Sequence, residues 1–369
     1  MASFGDVFAL FDERKEKIYE IYLSNMLLEE SYKNSTFRYL DEFYRTINNP
    51  KMKKLSTILL FFIASFAIAQ EITLAEKLGY EKTDKLLIVH ADDIGMAHSE
   101  NVATIEAIKI GVVNSTSTMM PCAWSTEAGE LVSELPDLDI GVHITLTNEW
   151  HTYKYGPVAS KSEVPGLVAP DGFFYKDCES VAQNASPAEV EKEMRAQIES
   201  AIKIGIIPTH LDSHMGCVFY GRPEYVYSYL KLAQEYEIPA MMNQQIVDAV
   251  IKSNPELFKD LDVDNLILID HIAMANPQAY DEIGMEAFYI DLLNNLDSGV
   301  TVLLNHIAYD DAEMRAITTR FTHWHADWRQ ADFDFFTGQK VRDLLKSNNI
   351  KLITWKEIGK LADKGLILP

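Results

Sequence analysis

Four short stretches of this sequence carry side chains suited to acid–base or metal chemistry. His90-Ala91-Asp92-Asp93-Ile94-Gly95 sets two carboxylates side by side, and Gly141-Val142-His143 places an imidazole in an apolar run. Thr209-His210-Leu211-Asp212-Ser213-His214 alternates ionisable and neutral residues, and His306 follows Leu303-Leu304-Asn305. On an extended strand alternate side chains share a face, so His210, Asp212 and His214 fall together. Three buried ionisable groups on one face destabilise a core unless they bind something, which favours a functional origin. His143 taken alone reads more simply as a satisfied core histidine, and Asp92-Asp93 could equally cap a helix.

Combined, one carboxylate and two imidazoles make an N/O site for a divalent cation with open positions for water and a carbonyl oxygen. Hydrolysis is the chemistry such a site serves. Amide cleavage needs, in addition, a base that deprotonates water and an acid that protonates the departing amine. One of the paired carboxylates can bind metal while the other works on water, with Asp92 the candidate base. His306 is the candidate acid, although it reads equally as a core histidine. Of His210, Asp212 and His214 at most one or two can ligate, and the rest would orient the ligands from behind. His90, His98, His151, His271, His323 and His325 stand outside the metal set, His271 being the first to reconsider.

The elements that would position these groups follow a parallel βα rhythm. Short β-branched runs at 86–90, 115–120, 140–145, 209–212, 240–243, 266–270, 301–306 and 351–354 alternate with helical stretches such as 99–109, 188–204 and 224–235. This predicts an α/β fold, a distorted (β/α) barrel of seven or eight parallel strands, with an open doubly wound sheet as the alternative. Asp92, Asp93, His143, Asp212, His214, Asp270, His271 and His306 are all expected at or just past the C-terminal ends of strands, where barrels build their active sites. The long connection from Glu149 to Ser186 carries Trp150, Tyr153, Tyr155, Phe173, Phe174 and Tyr175. Its aromatic rings would either stack on sugars above the barrel mouth or plug the barrel rim.

From Met52 the chain reads as a signal peptide: lysines, an apolar run from Leu55 to Ala69, and small residues at its end. The expected organisation is an upstream extension over 1–51, a signal peptide over 52–69 cleaved after Ala69, and one barrel domain over 70–369. The protein is then exported, periplasmic or secreted, with no stable membrane insertion after cleavage. A formal charge of -22 excludes nucleic-acid and anionic-lipid partners, since no basic patch offsets it. Cys122, Cys178 and Cys217 are an odd set with no CxxC spacing, so no disulfide framework is expected and burial as small apolar side chains is.

At its motifs the chain resembles the YdjC-like (ChbG-like) carbohydrate deacetylase family, whose members carry an Ala-Asp-Asp-Phe-Gly opening, a Gly-hydrophobic-His strand and a Thr-His-x-Asp-Ser-His block. The corresponding residues here are Ala91 to Gly95, Gly141 to His143 and Thr209 to His214. Asn101 falls where the family has an asparagine, and Val164-Pro165-Gly166-Leu167 with Asp171-Gly172 is similar to its central loop. The resemblance runs from about Lys85 to the C-terminus. It implies a distorted barrel, Asp93, His143 and His214 as metal ligands, Asp92 as general base, His210 behind the ligands, and magnesium as the usual cofactor. It also implies a substrate among N-acetylated sugars and oligosaccharides. The chain departs from the family at Ile94, at Met215-Gly216-Cys217 and at His306-Ile307-Ala308. Two imidazoles suit Zn2+ or another transition metal better than the hard Mg2+ ion. The expected function is a metal-dependent carbohydrate N-deacetylase. The alternatives are a non-catalytic glycan-binding barrel and another metal-dependent hydrolase, an esterase or phosphoesterase for which Arg329 would be the anion clamp.

Overall fold

The computed structural model describes residues 72–263 and 266–363. The upstream extension and the signal peptide expected over 1–69 lie outside the described residues. From Ile72 onward the chain is a parallel sheet curled into a distorted barrel and flanked by helices. Its strands are β1 (Lys85–Ile94), β2 (Ser115–Thr118), β3 (Ile140–Ile144), β4 (Leu211–Ser213), β5 (His271–Met274), β6 (Gly299–Asn305) and β7 (Ile350–Leu352). Their order is β4-β3-β2-β1-β6-β5, with β7 pairing the first residues of β1. Two isolated parallel bridges, Leu211 with Ala240 and Asn243 with Ile269, carry the path from β4 round toward β5.

β1 is central because every residue after Lys85 is buried. Leu86 and Ile88 pack with Val300, Val302, Ile353 and Trp355, whereas Leu87, Val89 and Ala91 pack with Leu303 and the helical layer that includes Tyr289, Trp328 and Phe336. His90 and Asp92 therefore share the face of Leu86 and Ile88. Strict alternation would send Asp93 the other way. The β1–β2 register shifts between Ala91 and Ile94, and Asp93 adopts φ 70°, a left-handed conformation that non-glycine residues rarely occupy. This bulge lets both carboxylates serve one site.

The helices place the remaining parts. Pro187–Lys203 begins with a capping box, Ser186 with Glu189, and buries Val190, Met194, Ile198 and Ala201 on its inner face. That face also brings Gln197 onto the end of β3, where its amide accepts from Thr145 N at 2.9 Å and donates to Thr145 O at 2.6 Å. Glu193, one turn earlier, accepts Val158 N and Ala159 N, each at 2.9 Å, and pins the long connection. Within that connection Trp150, Tyr155 and Phe174 are buried, so of the two roles open to its aromatic residues these rings take the plug.

Expectations about two strands, about Asp270 and His271, and about the cysteines are corrected. The segment 240–243 holds only single bridges, and the strand expected at 266–270 begins at His271. Asp270 and His271 thus stand at the start of β5, opposite the expected end: Asp270 accepts Val300 N at 2.7 Å, and His271 Nε2 lies 3.3 Å from Ser298 O. The sequence pattern located the apolar run but not its hydrogen-bonding partner. Cys178 and Cys217 form a disulfide, and only Cys122 is free and buried. The bond joins the helix Cys178–Asn184 of the long connection to the turn after His214, a proximity that their 39-residue separation concealed.

Gly141 is required by packing: a Cβ there would lie 2.5 Å from His210 Nε2. Gly141→Ala should destabilise the protein by about 1–3 kcal/mol through overpacking, read as a lower urea midpoint with unchanged slope.

Candidate active site

Asp93, His143 and His214, from β1, β3 and the turn after β4, offer one ligand atom each, all within 4.8 Å of one another and all buried. Asp93 Oδ1 faces His143 Nε2 and His214 Nδ1, each at 3.3 Å, yet it makes no hydrogen bond. A buried carboxylate oxygen without a donor, aimed at two imidazole nitrogens, is the arrangement a divalent cation satisfies. The donor set therefore fits a metal. Asp93 Oδ2 is occupied elsewhere, accepting from Arg329 at 2.9 Å. Burial pushes the Asp93 carboxyl up, but the adjacent His143 and His214 imidazoles and the Arg329 charge hold it well below the usual carboxylate range.

Beneath this group lies a second, fully buried network. His143 Nδ1 is 2.9 Å from Asp212 Oδ2, which also accepts from Ser117 Oγ at 2.6 Å. His90 Nε2 lies 3.1 Å from both Asp212 Oδ2 and Asp92 Oδ1, and its Nδ1 is 2.8 Å from Ser115 Oγ. Burial alone would lower the His90 pKa, but Asp212 and Asp92, whose carboxylates accept from its ring, prevail and push it up to about 9. His210 is the base of the stack. Its ring lies flat on Trp355 with centroids 4.9 Å apart and edge-on to His90, and burial beside His90 keeps it neutral.

His306 approaches from β6, with Nε2 3.7 Å from Asp92 Oδ2. Its backbone N–H donates to buried Asp332 at 2.9 Å, which fixes the chain where the strand ends. Burial lowers the imidazole pKa to about 4, so His306 is neutral at pH 7. The structure thus brings all five expected site residues, Asp92, Asp93, His143, His214 and His306, to one mouth. His323 and His325 stay apart, the former 3.1 Å from Asp281 and the latter capping the helix Ala326–Thr337.

Several residues take roles at this site that the sequence did not assign to them. Arg329 is 1% exposed, held between Asp93 and Glu100 over the face of the Trp150 ring, so it is unavailable as an anion clamp. Ser115 and Ser117 might have been flagged by the all-hydroxyl, fully buried Ser115-Thr116-Ser117-Thr118 strand, which no apolar core requires. Asn101 locks the turn after the aspartates by accepting Gly95 N at 2.5 Å and donating to Glu127 at 2.7 Å. Glu149, at the start of the long connection, has a carboxylate oxygen 3.0 Å from His214 Nε2.

A parallel (β/α) barrel with a carboxylate, two imidazoles and a spare aspartate at its C-terminal mouth defines the class. Residues 86–347 match the YdjC-like protein family, and the chain belongs to it. It is 30% identical to a carbohydrate deacetylase of Thermus thermophilus, over 77% of this chain and 97% of that one. It is 27% identical to a carbohydrate deacetylase of Thermoanaerobacter pseudethanolicus, over 73% of this chain and 98% of that one. Among solved structures, a protein of Enterococcus faecalis provisionally described as a cellobiose-phosphate cleavage protein superposes with a TM-score of 0.61 at 26% identity, covering 74% of this chain and 99% of that one.

Arg329→Ala would leave the Asp93 and Glu100 carboxylates buried without their cation. The expected loss is about 3–5 kcal/mol of folding stability, measured by chemical denaturation.

Proposed function

We propose that this protein is a metal-dependent carbohydrate deacetylase that hydrolyses N-acetyl groups on an amino sugar or oligosaccharide. The observation that carries this reading is the unpartnered Asp93 oxygen between His143 and His214, with Asp92 beside it. The carbohydrate deacetylases among its relatives support the same reaction. Asp93, His143 and His214 would hold the ion. Once bound, a divalent cation would supply a Lewis acid for the acetyl carbonyl and lower the pKa of water. Two imidazoles in the donor set favour zinc or another transition metal over magnesium.

The proton work falls to this chain's own residues. Asp92 takes a proton from the attacking water. His90 Nε2, 3.1 Å from Asp92 Oδ1, fixes that carboxylate from below. A neutral His306 is too weak an acid to protonate a leaving amine, so it must become imidazolium during the reaction. Asp92, 3.7 Å away, is the source once it has accepted the water proton, and His306 then delivers it to the departing nitrogen. Breaking the amide C–N bond thereby yields acetate and a free amine, with the proton taken from water returned to nitrogen.

Two competing readings lose their footing on specific contacts. A glycan-binding barrel relied on the aromatic connection, but Trp150, Tyr155 and Phe174 are buried, which leaves the partly exposed Tyr153, Phe173 and Tyr175 as its aromatic surface. A phosphoesterase needs a free cationic clamp, and Arg329 is bound to Asp93 and Glu100.

The test is acetate release from N-acetylglucosamine oligomers and peptidoglycan fragments, assayed with each divalent metal. Asp92→Asn should retain metal and lose about a hundredfold or more of turnover. His143→Ala and His214→Ala should lose the metal itself. Full activity in Asp92→Asn would remove Asp92 from the base role.

Export completes the proposal. A disulfide between Cys178 and Cys217 is a bond that persists in oxidising compartments, in keeping with the signal-like run from Leu55 to Ala69. Among the described residues no helix is long and apolar enough to cross a membrane. Mass spectrometry of the protein recovered from the periplasm or medium should find a mature N-terminus at Gln70; recovery only in the cytoplasm with residues 1–69 attached would contradict it.

A further inference from the structure

We propose that Glu149 is the positioning residue for His214, holding this imidazole in the tautomer and orientation that a metal ion requires. This inference rests on the reading of Asp93, His143 and His214 as the metal site. Both Glu149 carboxylate oxygens lie near His214 Nε2, at 3.0 and 3.1 Å, while His214 Nδ1 faces the unpartnered Asp93 oxygen. A neutral imidazole carries its proton on one nitrogen and its lone pair on the other. Accepting the Nε2 proton therefore leaves the Nδ1 lone pair directed at Asp93, where the ion would sit. The same logic places Asp212 behind His143 with the two nitrogens exchanged, Nδ1 held at 2.9 Å and Nε2 facing Asp93.

The two supports are not equivalent. Asp212 is shared among His143, His90 and Ser117 and lies wholly inside the barrel. Glu149 turns both of its carboxylate oxygens to His214, and it sits at the rim with 12% of its side chain exposed. Its backbone is nevertheless fixed from both sides. Asn148 N donates to Tyr175 O at 2.7 Å, and the Trp150 ring is buried against Phe321, with centroids 4.8 Å apart, and beneath Arg329. Arg329 also grips Asp93. One buried arginine thus fixes a ligand directly and, through Trp150, the segment that orients another ligand. A residue at the tip of a mobile loop could not define an imidazole's orientation in this way; Glu149 can because its neighbours are immobilised.

The test measures Zn2+ affinity by competition with a chromophoric chelator for wild type, Glu149→Ala, Glu149→Gln and His143→Ala, with melting temperatures of the metal-free proteins alongside. Glu149→Ala should bind one Zn2+ about 10- to 100-fold more weakly than wild type, with a nearly unchanged melting temperature. Glu149→Gln, whose amide oxygen can accept the same Nε2 proton, should recover part of that loss and keeps the experiment decisive should the alanine variant fail to fold. In the Zn2+-loaded wild type, 15N shifts of His214 should show Nε2 protonated and Nδ1 metal-bound. Wild-type affinity in both Glu149 variants would overturn the proposal. Complete loss of the ion in Glu149→Ala, as expected for His143→Ala, would overturn it too, making Glu149 a ligand. Absence of Zn2+ binding by wild type, or its persistence in His143→Ala, would instead refute the metal-site reading on which the proposal rests.

Discussion

Asp93 is a buried carboxylate whose two oxygens have different tasks, and most of the site can be read as a consequence. An ionised carboxylate taken out of water costs several kcal/mol unless paired and hydrogen-bonded. Arg329 meets that demand at Oδ2, and Glu100, also fully buried, shares the same guanidinium. Burial lifts the Glu100 carboxyl well above its usual range despite the nearby arginine, so the cluster does not hold two full negative charges against one positive one. The second Asp93 oxygen is then free to face the imidazoles. Had Arg329 bridged both oxygens, Asp93 would be a structural ion pair and nothing more. The φ of 70° at Asp93 and the register shift in β1 are the local strain that makes this division possible.

Below Asp93 the barrel interior is graded from apolar to ionic. Leu86, Ile88, Val300, Val302 and Trp355 fill the floor, and His210 lies on Trp355 as an uncharged ring. His90 comes next, held by Ser115 and shared between Asp92 and Asp212. The paired charges are thereby concentrated at the C-terminal end of the strands, where the helical layer does not cover the barrel. Ser115 and Ser117 make this tolerable, since they supply short, uncharged hydrogen-bonding partners to His90 and Asp212 where an apolar strand would leave them unsatisfied. Gly141 belongs to the same solution, because only a residue without a side chain leaves room for the His210 ring.

The barrel strands and the convergent residues were legible in the sequence because both depend on local signals. Apolar β-branched runs marked β1, β3 and β6, the threonines and the following methionines marked β2, and alternation at 210, 212 and 214 announced a polar stripe. What escaped depends on partners chosen in three dimensions. The run at 266–270 is apolar enough for a strand, but it holds only the single bridge at Ile269 and the ladder with β6 starts at His271, which puts Asp270 and His271 away from the mouth. The odd cysteine count and the lack of CxxC spacing argued against a disulfide framework, although folding the long connection back over β4 brings Cys178 to Cys217. Arg329 has no motif around it. Only packing of the helix Ala326–Thr337 against His98–Ile110 reveals that it lies beside Glu100 rather than at a rim.

The two histidines show why part of a metal centre must come from outside the barrel. Nδ1 lies close to the backbone of a histidine and Nε2 lies farther out. His143 projects inward from a strand and reaches the Asp93 oxygen with Nε2, so its near nitrogen is left inside the barrel, where another strand residue, Asp212, can hold it. His214 follows β4 on a tight turn, with Met215 at φ 54°, and already meets Asp93 through Nδ1. Its far nitrogen necessarily points away from the barrel interior. No strand residue can serve a nitrogen directed that way, so the acid must be delivered by a connection that crosses the mouth. Such a connection must be rigid at the point of delivery, which accounts for the clamps on Thr145, Asn148 and Trp150 in a segment that otherwise reads as irregular loop.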